Sequence, residues 1–323
     1  MKIGNVGQDV SRIGLGTWAI GGGPAFDGVD AEDLGIQTIH EGLAHKVNLV
    51  DTAPGYNFGR SEEIVGKAIA GNREDYVVIT KCGLIWDGEG SFFNKVGDRV
   101  LNRSLDPASI ERELEASLTR LGTDYIDIYM THWPAIEPFN TPIAETVEYL
   151  MGLKEKGLIH GIGAANVDSN QVREYLKYGD LDIVQMRYSI LDRTVEKDLM
   201  PVCIENGVTV QAYSPLEMGI LAGAVPRGYV PPAGNARAGK KWFEPANLEL
   251  AQDMLDAWAP LREKYDCSSA DLAIAWILAQ DENVTVLSGS TRPEEISENV
   301  RAMSINLSDE DAAWMRGYAE KIG

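Results

Sequence analysis

The sequence predicts an α/β protein whose eight parallel strands close into a (β/α)₈ barrel, the TIM-barrel fold. Short runs rich in Val and Ile alternate with helical patterns along almost the whole 323-residue chain. Each of the eight runs is followed by a helix, or by a loop that leads to one, which favours parallel strands with right-handed crossovers. Because no linker or low-complexity tract divides the chain, we expect one barrel domain over residues 1–323. An open doubly wound sheet is the alternative.

The elements follow in a regular order. The predicted strands are the runs RIGLGTW, VNLVDTA, DYVVITK, DYIDIYMTH, LIHGIGAAN, LDIVQM, VTVQAYS and VTVLSGS. The matching helices are predicted near 30–45, 61–70, 107–120, 142–157, 168–177, 195–206 and 293–300. A long loop containing Gly and Phe follows the third strand, and another long loop follows the seventh. Two further helices, near 247–264 and 308–320, exceed the eight-unit count and should pack outside the barrel.

Composition limits the class of function. The net charge of −20 argues against nucleic acid or an anionic membrane surface as a partner. No apolar run reaches 18 residues, and the N-terminus lacks the apolar core of a signal peptide. The three cysteines, Cys82, Cys203 and Cys267, show no CxxC spacing. We therefore expect a reduced, cytoplasmic protein without a disulfide framework or a metal site.

One motif is misleading. The segment GLGTWA at 14–19 matches the dinucleotide fingerprint G-x-G-x-x-A. That fingerprint requires a helix directly after the glycines, because the N-terminus of the helix holds the pyrophosphate. Here IGGGPAFDG follows, which cannot start a helix promptly, so we reject a Rossmann interpretation.

The residues that close the strands should form the active site, because barrel enzymes place it at the C-terminal ends of their strands. In chain order these residues are Trp18, Asp51, Lys81, His132, Asn166, Gln185, Tyr213 with Ser214, and Ser288 with Gly289. Asp51 and Lys81 end consecutive strands and should be neighbours, and Tyr56 follows Asp51 in the next loop.

This set of side chains suits the protonation of a carbonyl oxygen. A buried lysine beside a carboxylate is expected to keep its charge, and its ammonium should lower the pKa of the nearby Tyr56. Tyr56 could then act as a general acid, while neutral His132 orients the substrate oxygen. Another group must supply the hydride.

These residues lie in motifs that resemble the aldo-keto reductases over essentially the whole chain. The motifs are GLGTW, DTAPGYNFGRSEEIVGKAI, VITK, RLGTDYIDIYMTHWP, GIGAAN, VQAYSPL and LSGSTRPEEISEN. The loop segments CGLIWDGEGSFFNKVGD, AETVEYL and YSILDR most resemble a bacterial subgroup that includes an NADH-dependent methylglyoxal reductase. The resemblance implies an NAD(P)H-dependent carbonyl reductase with the tetrad Asp51, Tyr56, Lys81 and His132.

The resemblance also implies how a nicotinamide dinucleotide binds across the barrel mouth. Asn166 and Gln185 would hold the carboxamide, and Tyr213 would stack on the nicotinamide ring. Ser214, Leu216 and the loop to about residue 240 would cover the pyrophosphate. The remaining cofactor residues implied are Thr17, Trp18, Gly289, Ser290, Thr291, Arg292, Glu295 and Asn299.

Two departures from the family pattern bear on the cofactor. The segment GAAN lacks the Ser that many members place before the Asn, which removes one small hydroxyl. At the adenosine end, Arg292 could receive a 2′-phosphate, but Glu294 and Glu295 lie beside it in the sequence. Because carboxylates would repel that phosphate, we expect NADH to be preferred, with NADPH as the alternative.

Trp18, Trp86 and Trp133 are predicted to line the substrate pocket, although Trp133 and Phe93 could equally pack the loops. Aromatic walls suit small aldehydes and ketones, including 2-oxoaldehydes. Arg187 and Arg193 are weaker candidates for binding a substrate anion. Two other functions stay open at this point: a redox-sensing subunit with slow turnover, and a polyol or sugar dehydrogenase that works in the oxidative direction. The oligomeric state is not predicted.

Overall fold

The computed structural model describes residues 1–4, 6–23, 32–232, 235 and 237–322. Its strands are β1 (Ile13–Gly16), β2 (Leu49–Asp51), β3 (Val77–Cys82), β4 (Leu84–Ile85), β5 (Ser91–Val96), β6 (Arg99–Arg103), β7 (Ile126–Thr131), β8 (Ile159–Ala165), β9 (Ile183–Arg187), β10 (Thr209–Tyr213) and β11 (Val284–Gly289). A closed barrel is formed by β1, β2, β3 and β7 to β11 in that order. Every neighbouring pair in it is parallel, which confirms the predicted (β/α)₈ fold.

The helices surround this barrel. They are α1 (Glu32–Ala44), α2 (Arg60–Ile69), α3 (Pro107–Leu121), α4 (Ile143–Glu155), α5 (Ser169–Tyr178), α6 (Leu199–Glu205), α7 (Pro245–Ala257), α8 (Ala259–Tyr265), α9 (Ser269–Leu278), α10 (Pro293–Asn299) and α11 (Asp309–Ala319). The predicted start of the first helix near residue 30 lies outside the described residues. Among the described residues, no helix has the length and apolar character needed to cross a membrane.

The extra helices differ from the prediction in one respect. The predicted helix at 247–264 is two helices, α7 and α8, which meet at Trp258. Pro260 lies in the first turn of α8, where its missing N–H is not needed, but it could not continue α7 as an interior residue. The predicted helix at 308–320 is α11.

Helix α9 was not predicted because it lacks an amphipathic pattern. All residues from Asp271 to Leu278 are buried, so the helix shows no polar face. Its start does carry a sequence signal: Ser268 accepts a hydrogen bond from the N–H of Asp271, and the Asp271 side chain accepts one from the N–H of Ser268. This capping box, S-x-x-D before an apolar run, could have located the helix.

The long loop predicted after the third strand contains a small antiparallel sheet of order β4-β6-β5. Gly97 and Asp98 form the two-residue turn between β5 and β6, since Val96 pairs with Arg99. Gly97 has a φ of 60°, as such a hairpin turn requires. The Gly-Asp pair between two strand-like runs was therefore the signal for this hairpin.

Alternate residues of the barrel strands fill its interior. Leu49 on β2 and Val77 and Ile79 on β3 belong to one buried apolar cluster. The N-terminal segment adds Ile3 and Val6 to the same cluster. Because the side-chain period of a strand is two, Asp51 and Lys81 continue this inward face toward the C-terminal rim. This part of the interior is thus apolar, and the charged Asp51 and Lys81 lie above it at the mouth.

Behind the barrel wall, α3 brings the buried carboxylate Glu113 against the residue after β3. Both of its oxygens accept from the N–H of Gly83, at 3.0 and 2.9 Å. Desolvation raises the pKa of Glu113 to about 8, opposed by the Gly83 N–H and reinforced by the charges of Glu62 and Asp87. Arg112 lowers it weakly. Glu113 is therefore protonated in the folded protein at pH values where it is ionised in the unfolded chain.

This difference predicts a pH-dependent stability. Because the folded pKa lies above the ordinary 4.5, the favourable contribution is fully present below about pH 4.5 and is lost as the pH rises toward 8. Relative to Glu113→Gln, the wild-type free energy of unfolding should fall by about 1.4 kcal/mol per pH unit in that window. Urea denaturation of both proteins between pH 5 and 9 measures this difference. Parallel pH profiles for the two proteins would contradict the assignment.

Candidate active site

Lys81 is the centre of a compact polar cluster at the barrel mouth. Its Nζ donates to Asp51 Oδ1 at 2.7 Å, to Asp51 Oδ2 at 2.9 Å and to the Thr52 carbonyl at 2.9 Å. It also lies 3.0 Å from the Tyr56 hydroxyl oxygen. Lys81 and Asp51 are buried, so the positive charge of the ammonium is compensated by the carboxylate rather than by water.

The Tyr56 ring lies between two other predicted site residues. His132 packs edge-on to it with ring centroids 5.8 Å apart, and Trp18 lies at a tilted 6.5 Å. The Tyr56 hydroxyl can donate to Asp51 Oδ1 at 3.5 Å, a long contact. The structure thus brings together all four residues that the sequence placed in the tetrad.

The expected lowering of the Tyr56 pKa is wrong for this structure. Burial raises the pKa of the phenol well above 10, and the negative charge of Asp51 raises it further. The ammonium of Lys81 is shared with the Asp51 carboxylate, whose charge opposes ionisation of the phenol. Tyr56 is consequently protonated at neutral pH.

Lys81 and His132 also have perturbed pKa values. Burial lowers the pKa of Lys81, and Asp51 opposes that shift. Desolvation and the nearby Lys81 charge lower the pKa of His132 well below 6.5, so this ring is neutral at pH 7, as predicted. A neutral imidazole has one N–H that can donate to a substrate oxygen.

The predicted carboxamide-binding residues form a second hydrogen-bonded group. Asn166 Nδ2 donates to the His132 carbonyl at 3.0 Å, and the Tyr213 hydroxyl donates to Asn166 Oδ1 at 2.8 Å. Gln185 Nε2 donates to Asp51 Oδ2 at 2.8 Å. Asn166 has a φ of 59°, a conformation that asparagine adopts more readily than most residues. The two amides are therefore tied to the tetrad itself.

Thr17 supports the site from behind. Its hydroxyl donates to the Asp51 carbonyl at 2.8 Å and lies 2.7 Å from the Ser61 hydroxyl. Because the side chain is fully buried, its hydroxyl is occupied by protein partners. Thr17 thus helps to hold the end of β2.

Residues at the predicted adenosine end form two small networks after β11. Asn299 donates to the Ser288 hydroxyl at 2.7 Å, and the hydroxyls of Ser288 and Ser290 lie 3.5 Å apart. Glu295 accepts from the N–H of Thr291 at 2.8 Å and from Arg292 at 2.8 Å. Although desolvation opposes it, these contacts lower the pKa of Glu295. Gly289, between the two networks, is exposed.

The segment after β10 is fixed by an ion pair that sequence reasoning missed. Arg187 Nη2 donates to the buried Glu217, which also accepts from the Ser189 hydroxyl at 2.6 Å. Ser214 and Glu217 both have positive φ, at 57° and 46°, so Leu216 lies in a tightly turned segment. Arg187 is thereby engaged within the protein. The rest of the predicted pyrophosphate loop includes residues 233, 234 and 236, which lie outside the described residues.

The three tryptophans predicted for the substrate pocket differ in their exposure and ring contacts. Trp18 is half exposed and lies beside Tyr56. Trp86 packs edge-on to Phe58 at 5.5 Å, and Trp133 packs against Phe93 at 5.5 Å. Trp133 therefore joins the barrel to the small sheet, as the packing alternative anticipated.

Two further arginines contact groups of the protein itself. Arg103 covers both Trp133 and Phe93, at 4.9 and 5.0 Å from their ring centroids. Arg193 Nη1 donates to the Ile190 carbonyl. Arg187 and Arg193 thus each donate a hydrogen bond within the protein.

Sequence reasoning also missed Gln211 in the interior of the barrel. Its Oε1 accepts from Gln185 Nε2 at 2.8 Å. The sequence does contain an indication of it, because Gln211 is an amide within the apolar run VTVQAYS. It lies two residues before Tyr213, so both side chains are on the same inward face of the strand.

This chain is similar to known proteins over almost its whole length. The chain matches the model of the aldo/keto reductase family over residues 12–320. It is 56% identical to an NADH-specific methylglyoxal reductase of Escherichia coli over 323 residues, covering 100% of this chain and 98% of that protein. A glycerol dehydrogenase structure from Gluconobacter oxydans superposes with a TM-score of 0.89 at 33% identity, covering 99% of this chain and 95% of that one.

A further solved structure of similar fold contains a bound dinucleotide. An aldo-keto reductase from Klebsiella pneumoniae in complex with NADPH matches with a TM-score of 0.71 at 27% identity, covering 96% of this chain and 92% of that one. The family match spans nearly the whole chain and includes the Asp51, Tyr56, Lys81 and His132 cluster. The chain therefore belongs to the aldo/keto reductase family of oxidoreductases.

Proposed function

We propose that this enzyme reduces small aldehydes and ketones to alcohols with NADH, and that 2-oxoaldehydes such as methylglyoxal are among its substrates. The contact set of Lys81, Asp51, Tyr56 and His132 carries the proposal. It places a protonated phenol and a neutral imidazole side by side, with a buried ammonium beneath the phenol. The similarity to the E. coli methylglyoxal reductase supports the substrate class.

The residues at the mouth fit a nicotinamide dinucleotide. The Oε1 of Gln185 has no hydrogen-bond partner among the described residues, yet it is not one of the buried unpaired atoms, so it is open to a ligand. Asn166 Nδ2 uses one hydrogen on the His132 carbonyl and keeps a second. These two groups can pair with a carboxamide, while the ring of Tyr213 is available for stacking.

In the proposed mechanism a reduced nicotinamide supplies the hydride when it is bound. Tyr56 donates its proton to the substrate oxygen as negative charge develops there. The raised pKa of Tyr56 keeps that proton in place until then. Lys81, 3.0 Å from the phenol oxygen, stabilises the phenolate that remains. His132 donates a hydrogen bond that orients the carbonyl.

The substrate side of the mouth is aromatic. Trp18 lies beside Tyr56, and Trp86 and Trp133 are placed on the loops that follow β3 and β7. We propose that these rings bind the apolar faces of small carbonyl compounds and exclude water from the reacting oxygen. We further propose a cytoplasmic location, in keeping with cysteines that are all free among the described residues.

A substrate panel tests the function. Methylglyoxal, 4-nitrobenzaldehyde, simple ketones and sugars would be assayed with NADH and NADPH by loss of absorbance, and glycerol would be assayed with NAD⁺. We expect the highest kcat/KM with an aldehyde and NADH. Tight NADH binding without turnover of any carbonyl compound would contradict the proposal and favour a sensor, whereas turnover of polyols alone would favour a dehydrogenase.

The cofactor preference yields a separate prediction. The carboxylate of Glu295 holds Arg292 and the N–H of Thr291, so a 2′-phosphate near Arg292 would meet a carboxylate already in place. Glu295→Gln should raise kcat/KM for NADPH relative to NADH by about tenfold, equivalent to about 1.4 kcal/mol. Both values are measured with one aldehyde at low salt, where electrostatic effects are largest.

Glu298→Gln is the matched control, since it removes an exposed charge from the same helix. That variant should leave the NADH to NADPH ratio within about twofold. An equal change in both variants would mean that overall charge, rather than Glu295, sets the preference. A large preference of the wild type for NADPH would overturn our interpretation of this region.

A further inference from the structure

Gln211 lies in the barrel interior on β10, two residues before Tyr213. It pairs in register with Gln185 on β9 and with Thr285 on β11. Its side chain is fully buried. It contacts the side chain of Gln185.

The hydrogen bonds fix how the Gln185 amide is oriented. A carboxylate can only accept, so the Gln185 atom 2.8 Å from Asp51 Oδ2 must be the nitrogen. The second hydrogen of that nitrogen points to Gln211 Oε1, also at 2.8 Å. Both hydrogens are therefore used inside the protein, and Oε1 is the atom of Gln185 left open.

We infer that Gln211 is a positioning residue that holds the carbonyl oxygen of Gln185 as the acceptor for the carboxamide NH₂ of the nicotinamide. This inference rests on the proposed function, because it needs a nicotinamide at the mouth. Asp51 fixes which end of the Gln185 amide faces inward. The hydrogen bond to Gln211 fixes the direction of the second N–H of Gln185. The amide plane of Gln185 therefore cannot rotate about its hydrogen bond to Asp51.

The internal packing supports a role beyond stability. Gln211 Nε2 is buried without a hydrogen-bond partner in the described part of the chain. The hydroxyl of Thr285, its register partner, is unpaired as well. Buried unpaired polar groups destabilise a fold, and an apolar side chain would fill the layer without that penalty. Among the described residues, the contact with Gln185 is the one hydrogen bond of this side chain, so it is the feature that an amide provides and an apolar residue would not.

The test compares NADH with its reduced 3-acetylpyridine analogue, which has a methyl group where the carboxamide has NH₂. Dissociation constants are measured by fluorescence for the wild type and for Gln211→Met, which has a similar volume. We expect the wild type to prefer NADH over the analogue by about tenfold, the effect of one hydrogen bond of about 1.4 kcal/mol. In Gln211→Met that preference should fall to about twofold, through weaker NADH binding and nearly unchanged analogue binding.

Two further variants separate positioning from structure. Thr285→Val removes the neighbouring unpaired hydroxyl and should leave both dissociation constants unchanged. Adding Gln211→Met to Gln185→Met should have no further effect on NADH binding, because Gln211 acts through Gln185. The melting temperature of Gln211→Met should stay within about 3 °C of the wild type, since one buried unpaired group replaces another.

The outcomes are distinct. Equal weakening of NADH and analogue binding, together with a lower melting temperature, would show a structural role and overturn the inference. Unchanged discrimination in Gln211→Met would overturn it too. Failure of the wild type to bind NADH or reduce any carbonyl compound would instead refute the proposed function itself.

Discussion

Replacing Tyr56 with phenylalanine is expected to lower kcat/KM for carbonyl reduction by about 10²- to 10⁴-fold, the usual contribution of a general acid. The ring contacts with Trp18 and His132 remain in this variant, so NADH binding should change by less than about threefold. Lys81 keeps Asp51 and the Thr52 carbonyl as partners after the hydroxyl is lost. The fold should therefore survive, and the loss should appear in kcat.

The measurement is steady-state kinetics with one aldehyde, together with NADH titration by fluorescence. Tyr178→Phe is the matched control, since it removes an exposed phenol hydroxyl whose partner is the surface residue Lys177. It should behave as the wild type. Rates near normal in Tyr56→Phe would show that another group protonates the substrate oxygen.

Lys81→Met should damage both activity and stability. The buried Asp51 carboxylate would lose its counter-ion, and removal of one partner of a buried pair destabilises proteins by about 3–5 kcal/mol. Activity should fall at least as far as in Tyr56→Phe, because nothing would stabilise the phenolate. Urea denaturation and steady-state kinetics measure the two effects.

The double variant Asp51→Asn with Lys81→Met separates these effects. With both charges removed, most of the lost stability should return, while activity should stay low. Lys67→Met is the surface control: its 2.6 Å contact with Glu32 is half exposed, so its loss should change stability by about 0–1 kcal/mol. If Lys81→Met is as stable as the wild type, the buried ion pair does not hold the site together.

The barrel was predictable because its strands are apolar runs that end in polar residues. Asp51 and Lys81 close consecutive runs, so parallel strand order alone places them together. The segments that escaped prediction were those without such a pattern. Helix α9 is buried on every side, and the hairpin of β5 and β6 lies in a segment that the barrel pattern does not include.

The pKa values of the site residues were harder to predict from the sequence than which residues form the site. The sequence predicts that Lys81 lies near Tyr56, but the direction of the pKa shift of the phenol depends on distances. Two Asp51 contacts at 2.7 and 2.9 Å offset the ammonium, and burial then dominates the pKa of Tyr56. The role of Gln211 likewise depends on which hydrogen of an amide faces which oxygen. Such details follow from three-dimensional geometry rather than from residue order.

The small sheet is separate from the barrel sheet, and this has a consequence for how new substrate specificities could arise. Strands β4, β5 and β6 form no ladder with any barrel strand in the described structure, and Trp133 packs on this sheet through Phe93. Residues 86–102 could therefore be exchanged for those of another family member as a cassette. Such a graft would change the aromatic residues around Trp133 while the cluster of Asp51, Tyr56, Lys81 and His132 kept its hydrogen bonds.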